Sequence, residues 1–278
     1  MNINLDKINA ALDRLDPEKK STGHSGDRPD VKLPEGETTI RLVPYKYDLE
    51  MPFHELHFHY NVAGKTFPCP QRMKGDSCEI CEVATKMWRK YESSNDETYK
   101  DAFKKLVATS RAYIPCVVRG EEEKGVRWWV VNTRTTYKEI LTVVKNAAKS
   151  GLDITDTEAG RDLVVTVEKG WNDYLIPKSV QSAFADSKLA KTKKETDALI
   201  DTVTKIEELY TFREPEEMTV ALNSYFSDGS TNRDPDSAGK TADFSNKEPA
   251  DGDLIDFGGS KSVEDSVSDK FDKVVAGD

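Results

Sequence analysis

The chain has 278 residues, 32% of them charged, with a net charge of −10 and 37% AVILMFWYC residues. That is enough apolar material for one large or two small domains beside a sizeable polar segment. No apolar run approaches the ~18 residues of a membrane helix, the first residues mix charge with apolar side chains rather than forming a signal peptide, and four cysteines are too few for a disulfide scaffold. A soluble intracellular protein is expected.

Residues 1–37 read as a flexible N-terminal arm. Leu5, Ile8, Leu12 and Leu15 recur at helical spacing, which predicts a short amphipathic helix over 4–16. Such a helix is marginal alone and needs a surface to pack on, in its own core or on a neighbouring copy. Pro17-Glu18-Lys19-Lys20-Ser21-Thr22 and a Gly- and Pro-bearing linker follow.

Residues 38–227 read as the core. Strand-like runs lie at Thr38–Pro44, Phe53–Tyr60, Thr66–Cys69, Tyr113–Val118, Val126–Asn132 and Leu163–Glu168, with a hairpin around Asn61-Val62-Ala63-Gly64. Helical patterns at 79–92, 96–107 and 136–149 interrupt them, and 187–226 reads as helical, with a last short helix over 215–226. Short strands with inserted helices predict an α+β fold built on an OB-fold-like β-barrel with a zinc-binding subdomain.

Residues 228–278 hold 13 acidic and six basic residues, a net charge of −7. Dominated by Gly, Ser, Asp and Pro, they read as a disordered acidic tail. Apolar islands at Leu254-Ile255 with Phe257, and at Phe271 with Val274-Val275, suit short recognition elements.

Three of the four cysteines crowd together as Cys69-x8-Cys78-x2-Cys81. The Cys78-Glu79-Ile80-Cys81 spacing lets two sulfurs reach one tetrahedral ion, and Gly75 permits the turn before it. The fourth ligand comes from His54, His57 and His59. His59 is favoured, with His57 the alternative, because both share one face of the strand and lie near Cys69 across the hairpin. Three thiolates and one imidazole predict a single structural Zn2+ with no open position. Cys116 falls on the inward face of its strand as a small hydrophobe.

Rings and cations interleave in the middle of the chain. Between Thr85 and Arg119 there are eight basic and four acidic residues. Lys104, Lys105, Arg111, Tyr113 and Arg119 lie here. Trp128, Trp129, Arg134 and Tyr137 follow, and Trp171 and Tyr174 flank a turn. Single-stranded nucleic acid asks for this combination, cations for phosphate and ring faces for bases, at about 1–3 kcal/mol per stacked base. Trp128 and Trp129 point to opposite faces of a strand, so one of them is core. The other readings are a zinc-bearing protein-interaction module and an RNA-binding module. An enzyme is not expected, since no His-Glu-x-x-His, phosphate-loop or nucleophile-elbow motif is present.

These parts together resemble the single-stranded DNA-binding (helix-destabilising) protein family of T-even-type bacteriophages. The resemblance lies in Lys19-Lys20-Ser21-Thr22, Thr39-Ile40-Arg41-Leu42-Val43-Pro44, the His…Cys…Cys-x-x-Cys knuckle, Gly170-Trp171-x-x-Tyr174 and the acidic tail. It implies a zinc-containing OB-fold core that binds single strands in a cleft, with Trp171 and Tyr174 contacting DNA. It implies self-association of adjacent copies on DNA through Lys19, Lys20, Ser21 and Thr22. It also implies a tail that recruits phage replication, recombination and repair proteins in the cytoplasm of the infected host. Lys104-Lys105…Thr109-Ser110 loosely resembles a second copy of the basic signature.

Overall fold

In the computed structural model, which describes residues 4–14, 30–170 and 174–227, helices and strands alternate along the chain. The order is α1 (Leu5–Arg14), β1 (Gly36–Leu42), β2 (His54–Val62), β3 (Lys65–Pro68), α2 (Pro70–Met73), α3 (Glu79–Ser94) and α4 (Glu97–Leu106). Then come β4 (Thr109–Val118), β5 (Arg127–Asn132), α5 (Lys138–Lys149), β6 (Gly160–Lys169), β7 (Leu175–Ser187), α6 (Lys193–Asp201) and α7 (Pro215–Ser227). The described residues fall into two units: 4–14, 30–56, 110–170 and 174–210 in the first, 57–109 and 211–227 in the second. The arm motif Lys19–Thr22, Trp171 and the tail 228–278 lie outside the described residues.

The first unit is built on antiparallel strands. β1 pairs with β6 (Ile40↔Leu163) and with the end of β4 (Ile40↔Val118); β4 pairs with β5 (Ile114↔Trp129), and β6 with β7 (Val165↔Val180). One face carries Ile40, Leu42, Ala112, Ile114, Cys116, Val165 and Trp129 into a core closed by α5, through Ile140, Leu141 and Val144. The amphipathic spacing of α1 is satisfied here: Ile8 is fully buried in this core, Leu12 packs against it, and α1 lies on α5. The result is an α+β unit in which β1 lies between β4 and β6, β7 lies beyond β6, and β5 pairs with β4.

β4 is buried on both faces, which alternation alone did not suggest. Tyr113 and Val117 are as inaccessible as Ile114 and Cys116. The second face is covered by a stack of edge-to-face rings. Tyr45 lies 4.4 Å from His54 and 5.8 Å from Trp128, and Trp128 lies 6.4 Å from Tyr113. Trp128 Nε1 finds its acceptor in Thr204 Oγ1 at 3.0 Å, as a buried indole must.

The second unit starts from the β2–β3 hairpin, in register at His59↔Phe67. Its turn puts Asn61, Ala63 and Gly64 in the left-handed region, where Asn and Gly are the tolerant residues. Asn95 in the left-handed region ends α3, and Asp96 caps α4 by accepting from Thr98 N–H at 2.9 Å, so two residues turn the chain between helices. Phe67, Ile80, Val83, Met87, Leu106, Leu222 and Phe226 form the core. Of the helical region expected over 187–226, the last short helix over 215–226 is α7, and the rest resolves into the end of β7, α6 and a 3-10 turn Ile206–Leu209.

Candidate metal centre and nucleic-acid surface

The second unit brings His59, Cys69, Cys78 and Cys81 together, with one donor atom from each within 4.8 Å of all the others. Each arrives by a local rule. His59 sits on β2 opposite Phe67, and Cys69 N–H donates to His57 O at 2.9 Å, which extends the hairpin pairing to the first thiol. Cys69 then caps α2, its sulfur accepting from Arg72 N–H at 3.4 Å, with Pro70 in the first helical position. Gly75, at a φ of +83°, turns the chain back. Cys78 stands at the cap of α3, and Cys81 in its first turn, where the positive end of the helix favours thiolate.

The spacing is that of a coordination shell. Cys69 Sγ and Cys81 Sγ are 3.4 Å apart, and His59 Nε2 is 3.3 Å from Cys78 Sγ and 3.6 Å from Cys81 Sγ. Tetrahedral zinc, with Zn–S of about 2.3 Å and Zn–N of about 2.0 Å, needs S···S edges of about 3.8 Å and S···N edges of about 3.5 Å. His59 Nδ1 lies 2.7 Å from Leu106 O. A carbonyl only accepts, so Nδ1 donates and Nε2 is the nitrogen turned to the sulfurs. Burial lowers the His59 pKa, but hydrogen bonds with Cys69 and Cys78 outweigh it and carry it up to about 9. The thiols are coupled: hydrogen bonds from Cys78 and Cys81 pull Cys69 down, while Cys69 and Cys78 push Cys81 up. Three crowded sulfurs and an oriented imidazole are a fit for a soft, four-coordinate cation. Of the two histidines left open by spacing, His59 is the one in the cluster.

The residues expected at the nucleic acid divide. Tyr113, Trp128, Trp129 and Tyr137 are buried, with no ring face to offer a base; β4 and β5 are covered on both sides, and Tyr137 packs in the core with α5. Arg119 is spent on the fold. Its Nε and Nη2 hold the Asp162 carboxylate at 2.8–3.1 Å, while Nη1 and Nη2 donate to Leu189 O and Lys188 O. Lys104, Arg134 and Tyr174 are exposed, Tyr174 at 43%, and Lys105 and Arg111 are half-buried. Lys104 pairs with Asp101 at 2.9 Å in the second unit; Arg111, Arg134 and Tyr174 belong to the first.

A further aromatic face lies on the α3–α4 hairpin, within the basic stretch between Thr85 and Arg119. The Trp88 ring is 5.0 Å from Phe103 and 5.4 Å from Tyr91. Lys100 Nζ lies 4.9 Å from the Tyr91 centroid and Lys90 Nζ 5.5 Å from that of Tyr99. All four rings are half-buried, so ring surface and ammonium groups meet solvent together. The signal was present in Trp88, Tyr91, Tyr99 and Phe103, three or four residues apart on predicted helices.

The sequence matches a family model described as gp32 DNA binding protein like over residues 34–225. A comparison with curated proteins returned no match. The matched span covers most of the chain and contains both units' strands, the His59–Cys81 cluster and the α3–α4 face. Of the features that carry the T-even-type resemblance, Thr39–Pro44, the cysteine knuckle and Gly170–Tyr174 lie in this span, Lys19–Thr22 and the acidic tail lie outside it, and the chain belongs to the gp32-like family of single-stranded DNA-binding proteins.

Proposed function

We propose that this chain is a cooperative, sequence-independent single-stranded DNA-binding protein. It coats and protects single strands during phage DNA replication, recombination and repair, in the cytoplasm of the infected bacterial host. The family match over residues 34–225 carries the reading, and the α3–α4 face of rings under lysines supports it chemically. Rings stack on unpaired bases, which a duplex does not offer, and cations release counterions from the phosphates. Binding therefore shifts DNA toward the melted form. Lys104, Lys105, Arg111, Arg134, Trp171 and Tyr174 are proposed as further contacts, in addition to the rings of α3 and α4. Within residues 1–37, Lys19–Thr22 serve self-association while α1 packs on the core, 38–227 form the binding core, and the acidic 228–278 recruits partner proteins.

His59, Cys69, Cys78 and Cys81 would hold one structural Zn2+, which when bound ties the β2–β3 hairpin to the first turns of α2 and α3. Four protein donors leave no position for a reacting water, so the role is structural and the protein binds without catalysis. The test is a titration of tryptophan fluorescence with oligo(dT) and with duplex of equal length. Quenching by the single strand and not by the duplex supports the proposal; equal response to both, or to neither, rejects it.

A further inference from the structure

Tyr47 is an exposed ring with an unusual setting. It lies in the turn after β1, 48% accessible, with Leu49 beside it also exposed. Two ammonium groups reach it: Lys46 Nζ stands 5.4 Å and Lys205 Nζ 5.3 Å from the ring centroid. Lys46 is steadied by Asp201, through its carbonyl oxygen at 3.1 Å and its carboxylate at 3.9 Å. Behind Tyr47, the Tyr45 ring meets it edge-on at 5.2 Å. Tyr45 is itself fixed, with its hydroxyl accepting from Ile206 N–H at 3.0 Å and its ring resting on His54 and Trp128. The flat side chain is thus held out from a rigid aromatic stack, and nothing in the first unit's core needs its exposed area.

We infer that Tyr47, with Lys46 and Lys205, is a base-stacking subsite for single-stranded nucleic acid. The inference rests on the binding function proposed above and adds a contact separate from the α3–α4 face and from Tyr174. A nucleobase takes the exposed ring area and the lysines take the adjoining phosphates.

The experiment is an anisotropy titration of fluorescein-labelled oligo(dT) with the full-length, zinc-loaded chain. Tyr47→Ala raises Kd about tenfold, the effect of losing one stacked base, while Tyr47→Phe, which keeps the ring, binds like the wild type. Lys46→Ala with Lys205→Ala lowers the magnitude of the salt slope by about 0.7 per phosphate released. Wild-type binding with an unchanged Kd for Tyr47→Ala overturns the subsite and leaves the function standing. Failure of the wild type itself to bind overturns both. Ultraviolet crosslinking of oligo(dT) to the wild type gives a readout independent of how the variant folds. An adduct on the peptide carrying Tyr47 supports the subsite, and adducts confined to other peptides reject it.

Discussion

Gly160 has no side chain because Arg41 occupies that place. The Arg41 guanidinium is fully buried and donates to Ile154 O and Asp156 O, tying the loop after α5 to β1. A Cβ at position 160 would collide with it. Burial pulls the Arg41 pKa to about 10, so it stays charged at neutral pH. Gly160→Ala should cost about 1–3 kcal/mol by overpacking, read as a lower Tm. Arg119 invites a similar measurement, because its clamp on Asp162 is only about one-fifth exposed on both sides. Arg119→Ala should cost about 1–3 kcal/mol, because it leaves the Asp162 carboxylate to the Ser187 hydroxyl, and should leave the salt slope of DNA binding unchanged; a flatter slope would restore it as a phosphate contact. His54 titrates against the fold. Burial lowers its pKa below 6.5, with Asp48 and Glu207 opposing weakly. The unfolded chain therefore takes up the proton first, and stability is lost as pH falls through 6.5 toward the folded value. His54→Gln should flatten that loss in urea melts.

The β2–β3 hairpin and the start of α3 stand or fall together. Cys78→Ser should abolish stoichiometric zinc and melt the second unit early, since structural zinc supplies of the order of 10 kcal/mol in small modules; metal analysis and a thermal melt check it. This element was legible in the sequence, because Cys-x-x-Cys spacing, a glycine turn and a hairpin register are local rules. β1, β4, β5 and β6 were legible from alternation. β7 was not. Leu175–Ser187 buries one residue deeply, Val180, and contains Pro177, which only an edge strand tolerates. Without a buried face there was no alternation to read. The aromatic candidates failed for a related reason: Tyr113 and Trp128 alternate as exposed residues would, and only the tertiary stack with Tyr45 and His54 covers them. Conversely, helical spacing does not distinguish the rings of α3 and α4 from ordinary helix content; Lys90 and Lys100 come to lie over Tyr99 and Tyr91 only in the folded hairpin.

At the scale of the whole chain the charge is divided unevenly. The last 51 residues carry −7 of the total −10, which leaves the rest nearly balanced and able to present basic patches. An acidic tail on a single-strand binder competes with phosphate for those patches at low ionic strength. Removal of residues 228–278 should raise the affinity for oligo(dT) and make it less dependent on salt; an unchanged affinity and slope would set the tail apart from binding. Preference for unpaired strands is the property on which the proposed function turns. Its most direct test is the affinity of the zinc-loaded full chain for oligo(dT) and for duplex of equal length, each across a salt series. The account predicts much tighter binding to the single strand, weakening with salt at about −0.7 per phosphate contacted in log–log form. Equal affinity for the duplex, or binding to neither, would contradict it.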